Sequence, residues 1–323
     1  MLIRVVDIGS NSIKSSLYDV ENQTHKLVAK EKLPYSLGEE VFSQGYISED
    51  GQEKVAEFIQ ELPGSQGGEK IHFTFVLATS AVRSSRNRDA FVRKLTQRTG
   101  HACRVLSGEE ESFLIHMGIA IRAGIGTQDI IKTIDVGGGS AEISWSRGMQ
   151  YLEGHSYDLG AIRLSKRFLK SRTFSRESFV QIQELALSEF KGGFDGRSAP
   201  EAQKAVGSSG NIRAIEGMVQ CVRSPAIAKL IPEITPGSLE DVAEIAVGRT
   251  PQNLQDIFDI GPERARIIMP AVVVLCATMR FFGIARLEVV EAGLREGAAW
   301  FWSRHGHLSL PVEQPSPAPV GRP

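Results

Sequence analysis

A chain of 323 residues is long enough to bury a large core and lies where single cores give way to two, so two domains are expected. Lys and Arg total 37 against 38 Asp and Glu, which argues against bulk affinity for duplex nucleic acid or a membrane surface; any anion site must be built locally. Cys103, Cys221 and Cys276 are odd in number and lack CxxC spacing, the pattern of reduced thiols in a cytoplasmic protein.

In chain order, "LIRVVDI" (2–8), "IKSSLYDV" (13–20) and "HKLVAKEKL" (25–33) read as strands, followed by a helix near 51–62. Asp7 and Gly9 arrive too early for a signal peptide. Next come a strand "IHFTFVLAT" (71–79), a helix near 89–99, a strand "HACRVL" (101–106) and a helix from about Glu109. This alternation is that of an α/β chain. The stretches 63–69 and 192–200 are loops by composition, and the Pro-rich end, 311–323, is expected to be a disordered tail. The longest apolar run, Ile267 to Met279, is too short to span a bilayer and reads as a buried helix.

"VVDIGSNSIKSS" (5–16) recurs as "TIDVGGGSAEIS" (133–144), with a constant offset of 128 residues aligning Asp7 with Asp135, Gly9 with Gly137 and Ser12 with Ser140. Two related domains, each opening on an acid-bearing strand and a glycine turn, account for the echo. Such turns leave backbone amides open to an anion, phosphate above all, and Ser140 adds a hydroxyl donor. Asp7, Asp135 and Glu142 would each repel that phosphate by roughly 1 to 4 kcal/mol at about 4 Å. A divalent cation, Mg²⁺ by preference, resolves the conflict, because it takes one or two carboxylates together with water and phosphate oxygens.

Four further segments bear on the chemistry. In "LSGEEES" (106–112) a Ser-Gly break precedes three glutamates; successive helical positions turn by about 100°, so Glu109 and Glu110 can serve solvent and capping while Glu111 faces a cleft and could take a proton from water. "ATSAVRSSRNR" (78–88) offers Arg83 as a fork for phosphate oxygens and Ser80 as a cap, with Arg86 and Arg88 on the surface. Arg163, Lys166, Arg167 and Lys170 share one helical face, either a rail for a polyanion or a solvated surface. "AVGSSGNIRAI" (205–215) is a third glycine turn opening a helix, and "RLEVVEAGLREG" (286–297) leads into a last one.

Taken together, "DIGSNS", "ATSAVRSSRN", "SGEEES", "DVGGGSAE", "LGAIRL", "GSSGNIRA" and "GLREG" resemble, in this order, the exopolyphosphatase and guanosine pentaphosphate phosphatase family. The resemblance runs from about residue 3 to about residue 300 and looks like the short, two-domain form. It implies two ribonuclease-H-like domains of the actin and sugar-kinase superfamily, 1–124 and 125–296, with an interdomain cleft and a C-terminal helix near 297–309 packing back on the first.

It also implies hydrolysis of a terminal phosphoanhydride with Mg²⁺ or another divalent cation. Glu111 would activate water, Glu142 and Asp135 would organise water and metal, and Gly137, Gly138, Gly139 and Ser140 would hold the terminal phosphate. Asp7, Ser10, Asn11, Ser12, Arg83, Ser209, Gly210 and Asn211 would complete the cleft. Inorganic polyphosphate or guanosine pentaphosphate is the implied partner, with a homodimer as a possible assembly. Ala141 and Asn211 stand where the family often has Thr, which bears on substrate preference. A kinase or ATPase, or a non-catalytic sensor of guanosine polyphosphates, are the competing readings on the same fold.

Overall fold

The structure, a computed structural model, describes residues 1–64, 71–169, 173–193, 201–202, 204–222 and 233–311. Most of the loops at 63–69 and 192–200, nearly all of the tail at 311–323, and Lys170 lie outside the described residues.

The described residues form two five-stranded sheets. The first comprises β1 (Leu2–Ile8), β2 (Ile13–Glu21), β3 (Thr24–Leu33), β4 (Ile71–Ala78) and β5 (Cys103–Val105) in the order β3-β2-β1-β4-β5. The second comprises β6 (Ile130–Val136), β7 (Ala141–Arg147), β8 (Gln150–Tyr157), β9 (Lys204–Ser208) and β10 (Glu288–Val289) in the order β10-β9-β6-β7-β8. Read from its opposite edge, the second sheet repeats the first: three antiparallel strands, then two parallel to the central one. The sequence echo therefore corresponds to equivalent strands, β1 and β6, at the centres of two ribonuclease-H-like domains of the actin and sugar-kinase type.

β1 and β6 are central because their residues tolerate burial on both faces. Ile3, Val5, Val6 and Ile8 in one and Ile131, Ile134 and Val136 in the other are fully buried, as expected for strands covered on both sides. Helices α1 (Leu37–Gln44), α2 (Glu49–Glu61), α3 (Ser80–Ser84) and α4 (Arg88–Thr99) cover one face of the first sheet, packing Leu37, Val55, Phe91 and Leu95 on Val6 and Ile13. Helix α5 (Gly108–Ala123) then leads to the second half.

There, α6 (Ala161–Phe168), α7 (Arg176–Gly193), α8 (Gly210–Val222), α9 (Pro236–Ala246), α10 (Pro251–Phe258), α11 (Pro262–Ala265) and α12 (Ile268–Phe281) build the largest core, and α13 (Leu294–His305) closes the fold. The long apolar run is α12, buried on all sides from Ile268 to Met279. No helix among the described residues is long and apolar enough to cross a membrane.

The two halves exchange a helix each. α5 follows the first sheet in sequence yet packs on β7 and β8 of the second, whereas α13 follows the second sheet and packs on β1, β2 and β3. A sequence division at 124/125 thus cuts across the packing. The exchanged helices meet backbone to backbone: a Cβ on Gly297 would stand 1.8 Å from the Leu114 carbonyl oxygen, and one on Gly118 would stand 2.2 Å from that of Gly293. Only glycine fits there.

Gly297→Val should therefore force the two helices apart and cost on the order of 1 to 3 kcal/mol or more, the usual penalty of overpacking. Urea denaturation of the variant measures it; a loss below about 0.5 kcal/mol, the range of harmless surface changes, would show that the crossing is not tight in solution.

Candidate active site

β1 and β6 each carry an acid one residue before the end, Asp7 and Asp135, and the turns that follow face one another. A Cβ on Gly139 would lie 2.5 Å from both Ser10 Oγ and Ser80 Oγ, and one on Gly138 would lie 3.1 Å from Ser10 Cβ. Bare glycines are what let the two turns approach. Between the domains lies a cavity of about 380 Å³, and its lining includes Asp7, Glu111, Asp135 and Glu142. Ser10, Asn11, Ser12, Gly137, Gly138, Gly139, Ser140, Ser209, Gly210 and Asn211 line it as well.

The glutamates divide as helical geometry requires. Glu110 closes a capping box with Ser107, its amide donating to Ser107 Oγ at 3.1 Å and its carboxylate accepting from the Ser107 amide at 2.9 Å, and it also pairs with Arg104. Glu111, one position on, is turned into the cavity with 6% of its surface exposed. Two buried hydrogen bonds then fasten α5 to the second sheet: Ser112 Oγ to Ser144 Oγ at 2.7 Å and His116 Nδ1 to Thr133 Oγ1 at 2.8 Å. Ser144 lies two residues past Glu142 and Thr133 two before Asp135. Glu111 is thereby held in register with both acids.

Burial raises the pKa of Asp7, Glu111, Asp135 and Glu142, four of the seven carboxyls that line the cavity. For Asp135 the rise reaches about 8, with Lys14 opposing burial and the charges of Glu111 and Asp7 adding to it. Glu142 is raised by burial and then by Glu111 and Asp135, against hydrogen bonds from Ser140 and Ser156. Asp7 is raised by burial and eased by Lys14 and Arg295. Glu111 is raised by burial and eased by Arg83, whose Nη1 stands 2.7 Å from Glu111 Oε2.

Several expected roles look different in three dimensions. Arg83 was expected to fork onto phosphate; its Nη1 instead donates to Glu111 and to the Leu106 carbonyl oxygen at 2.9 Å, so it steadies the glutamate. Ser80 does not cap α3: Thr79 holds the cap position without a side-chain bond, and Ser80 Oγ accepts from Arg163 at 3.3 Å. In the third glycine turn, Ser209 Oγ and Asn211 Nδ2 donate to the Val136 carbonyl oxygen at 3.1 and 2.8 Å, and Asn211 also to that of Gly137 at 3.0 Å. Those side chains brace the second turn, leaving backbone amides for a ligand. Ser209 holds φ at +143°, a conformation that favours glycine, so the turn is strained where it meets the cavity.

The basic face of α6 is not a free rail. Arg163 donates to Gly139 O at 2.8 Å and Ser84 Oγ at 2.9 Å, pairs with Asp158 and stacks on Phe42. Lys166 pairs with Glu39 across the domain boundary, and Arg167 rests over Phe168. α6 itself ends at Phe168. A helical spacing of charges specifies a face but not what the face meets, and here it meets α1 and α3.

The cations that do line the cavity are Lys14, Lys30, Lys32, Arg213, Arg264 and Arg295, which sequence reasoning did not single out. One signal was available: Lys14 stands opposite Asp7 across the β1–β2 hairpin, and Lys32 opposite Lys14. Among the described residues no group of three or more His, Cys, Asp or Glu is arranged to hold a metal by itself. An ion here would complete its shell with water or substrate oxygens.

A twofold-repeated sheet with acid and glycine turns around one cleft defines a phosphate-handling protein of the actin and sugar-kinase fold. A family model describing the Ppx/GppA phosphatase family matches residues 16–303, and the chain belongs to that family. Among solved structures, a Ppx/GppA family member from Aquifex aeolicus is 21% identical, with a TM-score of 0.76 over 93% of this chain and 97% of that one. An exopolyphosphatase from Cytophaga hutchinsonii is 18% identical, with a TM-score of 0.81 over 95% and 99%. Both show the same fold.

His116 offers a stability test independent of activity. It is fully buried, which lowers its pKa from 6.5 to about 3. Between those values the unfolded chain binds the proton and the folded one does not, so the stability contribution is complete above about pH 6.5 and is lost as pH falls toward 3. The slope is about 1.4 kcal/mol per pH unit per proton. The raised carboxyls of the cleft impose an opposite slope, so the test is the difference: urea titrations from pH 4 to 7 should give a pH slope about one proton more positive in the parent than in His116→Gln.

Proposed function

We propose that this protein is a Mg²⁺-dependent phosphohydrolase that releases terminal phosphate from inorganic polyphosphate. The observation that carries the reading is the convergence of Glu111, both acid and glycine turns and six Lys or Arg side chains on a single cavity. Glu111 accepts a proton from a water molecule and aligns it with the terminal phosphorus; its raised pKa makes it a stronger base, while Arg83 keeps the carboxylate form accessible. The amides of the Gly137–Ser140 turn and the Ser10–Ser12 turn receive the charge of the terminal phosphoryl group.

Asp7, Asp135 and Glu142 are oxygen donors lining one cavity, and one or two of them with water and phosphate oxygens would suit Mg²⁺ or another hard divalent cation; burial, with the charges of Glu111 and Asp7 adding to it, raises Asp135 to about 8, and a cation would relieve that charge. Such an ion supplies Lewis-acid polarisation and charge neutralisation. The six Lys and Arg side chains along the cavity suit an inorganic polyanion; guanosine pentaphosphate is the alternative with the same terminal anhydride.

Phosphate release should be seen with polyphosphate and Mg²⁺, disappear with a chelator and return with added Mg²⁺. Glu111→Gln should lower it by about 10²- to 10⁴-fold with the circular dichroism spectrum retained; near-normal turnover would overturn the assignment. Label transfer from ATP to an acceptor would point to a kinase, and tight guanosine polyphosphate binding without turnover to a sensor.

Arg83→Met supplies a pH test. Losing the cation raises the pKa of Glu111 further, so less of it is ionised at neutral pH. The acid limb of the rate profile should move to higher pH, with activity partly recovered in alkaline buffer. An unmoved limb would separate Arg83 from the proton step.

A further inference from the structure

One carboxylate at the cleft joins two cations from opposite domains. Glu291 Oε1 lies 3.2 Å from Lys30 Nζ on β3, and Glu291 Oε2 lies 3.1 Å from Arg213 Nη1 on α8. All three side chains line the cavity that holds Asp7 and Asp135. The backbone on either side of Glu291 is pinned to β9: the Val290 amide donates to the Gly207 carbonyl oxygen at 3.0 Å, and Ser208 Oγ donates to that of Ala292. Only the side chain of Glu291 is left to move.

The pairs are weak enough to exchange. Lys30, Glu291 and Arg213 are 41%, 62% and 46% exposed, and ion pairs so open to water contribute little. A phosphate group presents two or more anionic oxygens with a bite like that of a carboxylate and carries at least as much charge. It can meet the same two cations while Glu291 swings into solvent. The site also lies away from the reacting end. Asp7, Lys14 and Lys32 sit abreast on three neighbouring strands, and Lys30 is two residues further along β3; strand spacing puts it about 12 Å from Asp7.

We propose that Lys30 and Arg213 form a second phosphate subsite, occupied by Glu291 in this structure and taken over by a distal phosphate of a polyphosphate chain that displaces it. The proposal rests on the reading of the cleft as a polyphosphate site. A chain too short to reach leaves Glu291 in place; a longer one gains two cations and bridges both domains. Glu291 then sets the dependence of affinity on chain length.

Binding of tripolyphosphate and of a chain of several tens of phosphates can be measured calorimetrically in the Glu111→Gln background, where chemistry does not intervene, for the parent, Glu291→Gln, and the double variant Lys30→Met with Arg213→Met. Glu291→Gln should increase the preference for the long chain about three- to tenfold, and the double variant should reduce it by a similar factor, the scale of a single charge-assisted contact. An unchanged preference in both would overturn the subsite. Should one variant fold poorly, the other still decides, since the two must move in opposite directions. Absence of turnover in the otherwise native protein, with length-dependent binding kept, would sink the hydrolase reading alone; turnover with length-independent binding would sink the subsite alone.

Discussion

Four carboxyl groups at one cavity, Asp7, Glu111, Asp135 and Glu142, form the constraint on which the rest of this structure depends. Left to themselves they would repel one another by roughly 1 to 4 kcal/mol per close pair. The fold nevertheless holds them there: Asp7 and Asp135 lie one residue before the ends of the two central strands, Glu142 faces Asp135 across a hairpin, and Glu111 opens a helix bolted to the same sheet. The cost is met by cores remote from the cleft, above all the one around α12, buried from Ile268 to Met279. A local rule of stability is broken at the site and supported elsewhere, the usual arrangement for a functional centre.

The exchange of α5 and α13 gives that constraint its mechanical setting. Through Ser112 and His116, α5 carries Glu111 on the second sheet, while Arg83 approaches from the first. The contact between Arg83 and Glu111 therefore spans the two domains, as do those of Arg163 with Ser84 and Lys166 with Glu39. The glycine crossing of α5 and α13 sets how closely the halves approach. Positions of charge and positions of backbone are decided by the same packing.

Much of this was legible in the chain, and the rest was hidden for physical reasons. Strands β1 to β4 follow from apolar runs punctuated by turn residues, the repeat from the 128-residue offset, and the inward turn of Glu111 from helical periodicity. Helix α1 escaped notice because it is eight residues long, with Glu39 and Glu40 in its first turn; Ser36 caps it and its Gly38 amide binds the Ser10 carbonyl oxygen at 2.7 Å, a tertiary contact. Arg163 misled because spacing along one helix says nothing of the neighbour. The cavity cations escaped because β2, β3, α8, α11 and α13 each contribute one or two, and only the fold assembles them.

The repeat also explains why the cleft is not symmetric. The same 128-residue offset that aligns Asp7 with Asp135 aligns Lys14 with Glu142, and each of the latter stands directly across its hairpin from the acid of its own copy. In the first domain the pair is acid and base, so Lys14 partly offsets Asp7. In the second it is acid and acid, with no cation at the paired position. Negative charge is consequently concentrated on the second turn, beside Glu111, while positive charge spreads from Lys14 toward Lys32 and Lys30. One inverted charge in an otherwise duplicated hairpin is enough to give the cavity a carboxylate end suited to a cation and a reacting phosphate, and a cationic end suited to the remainder of a polyanion.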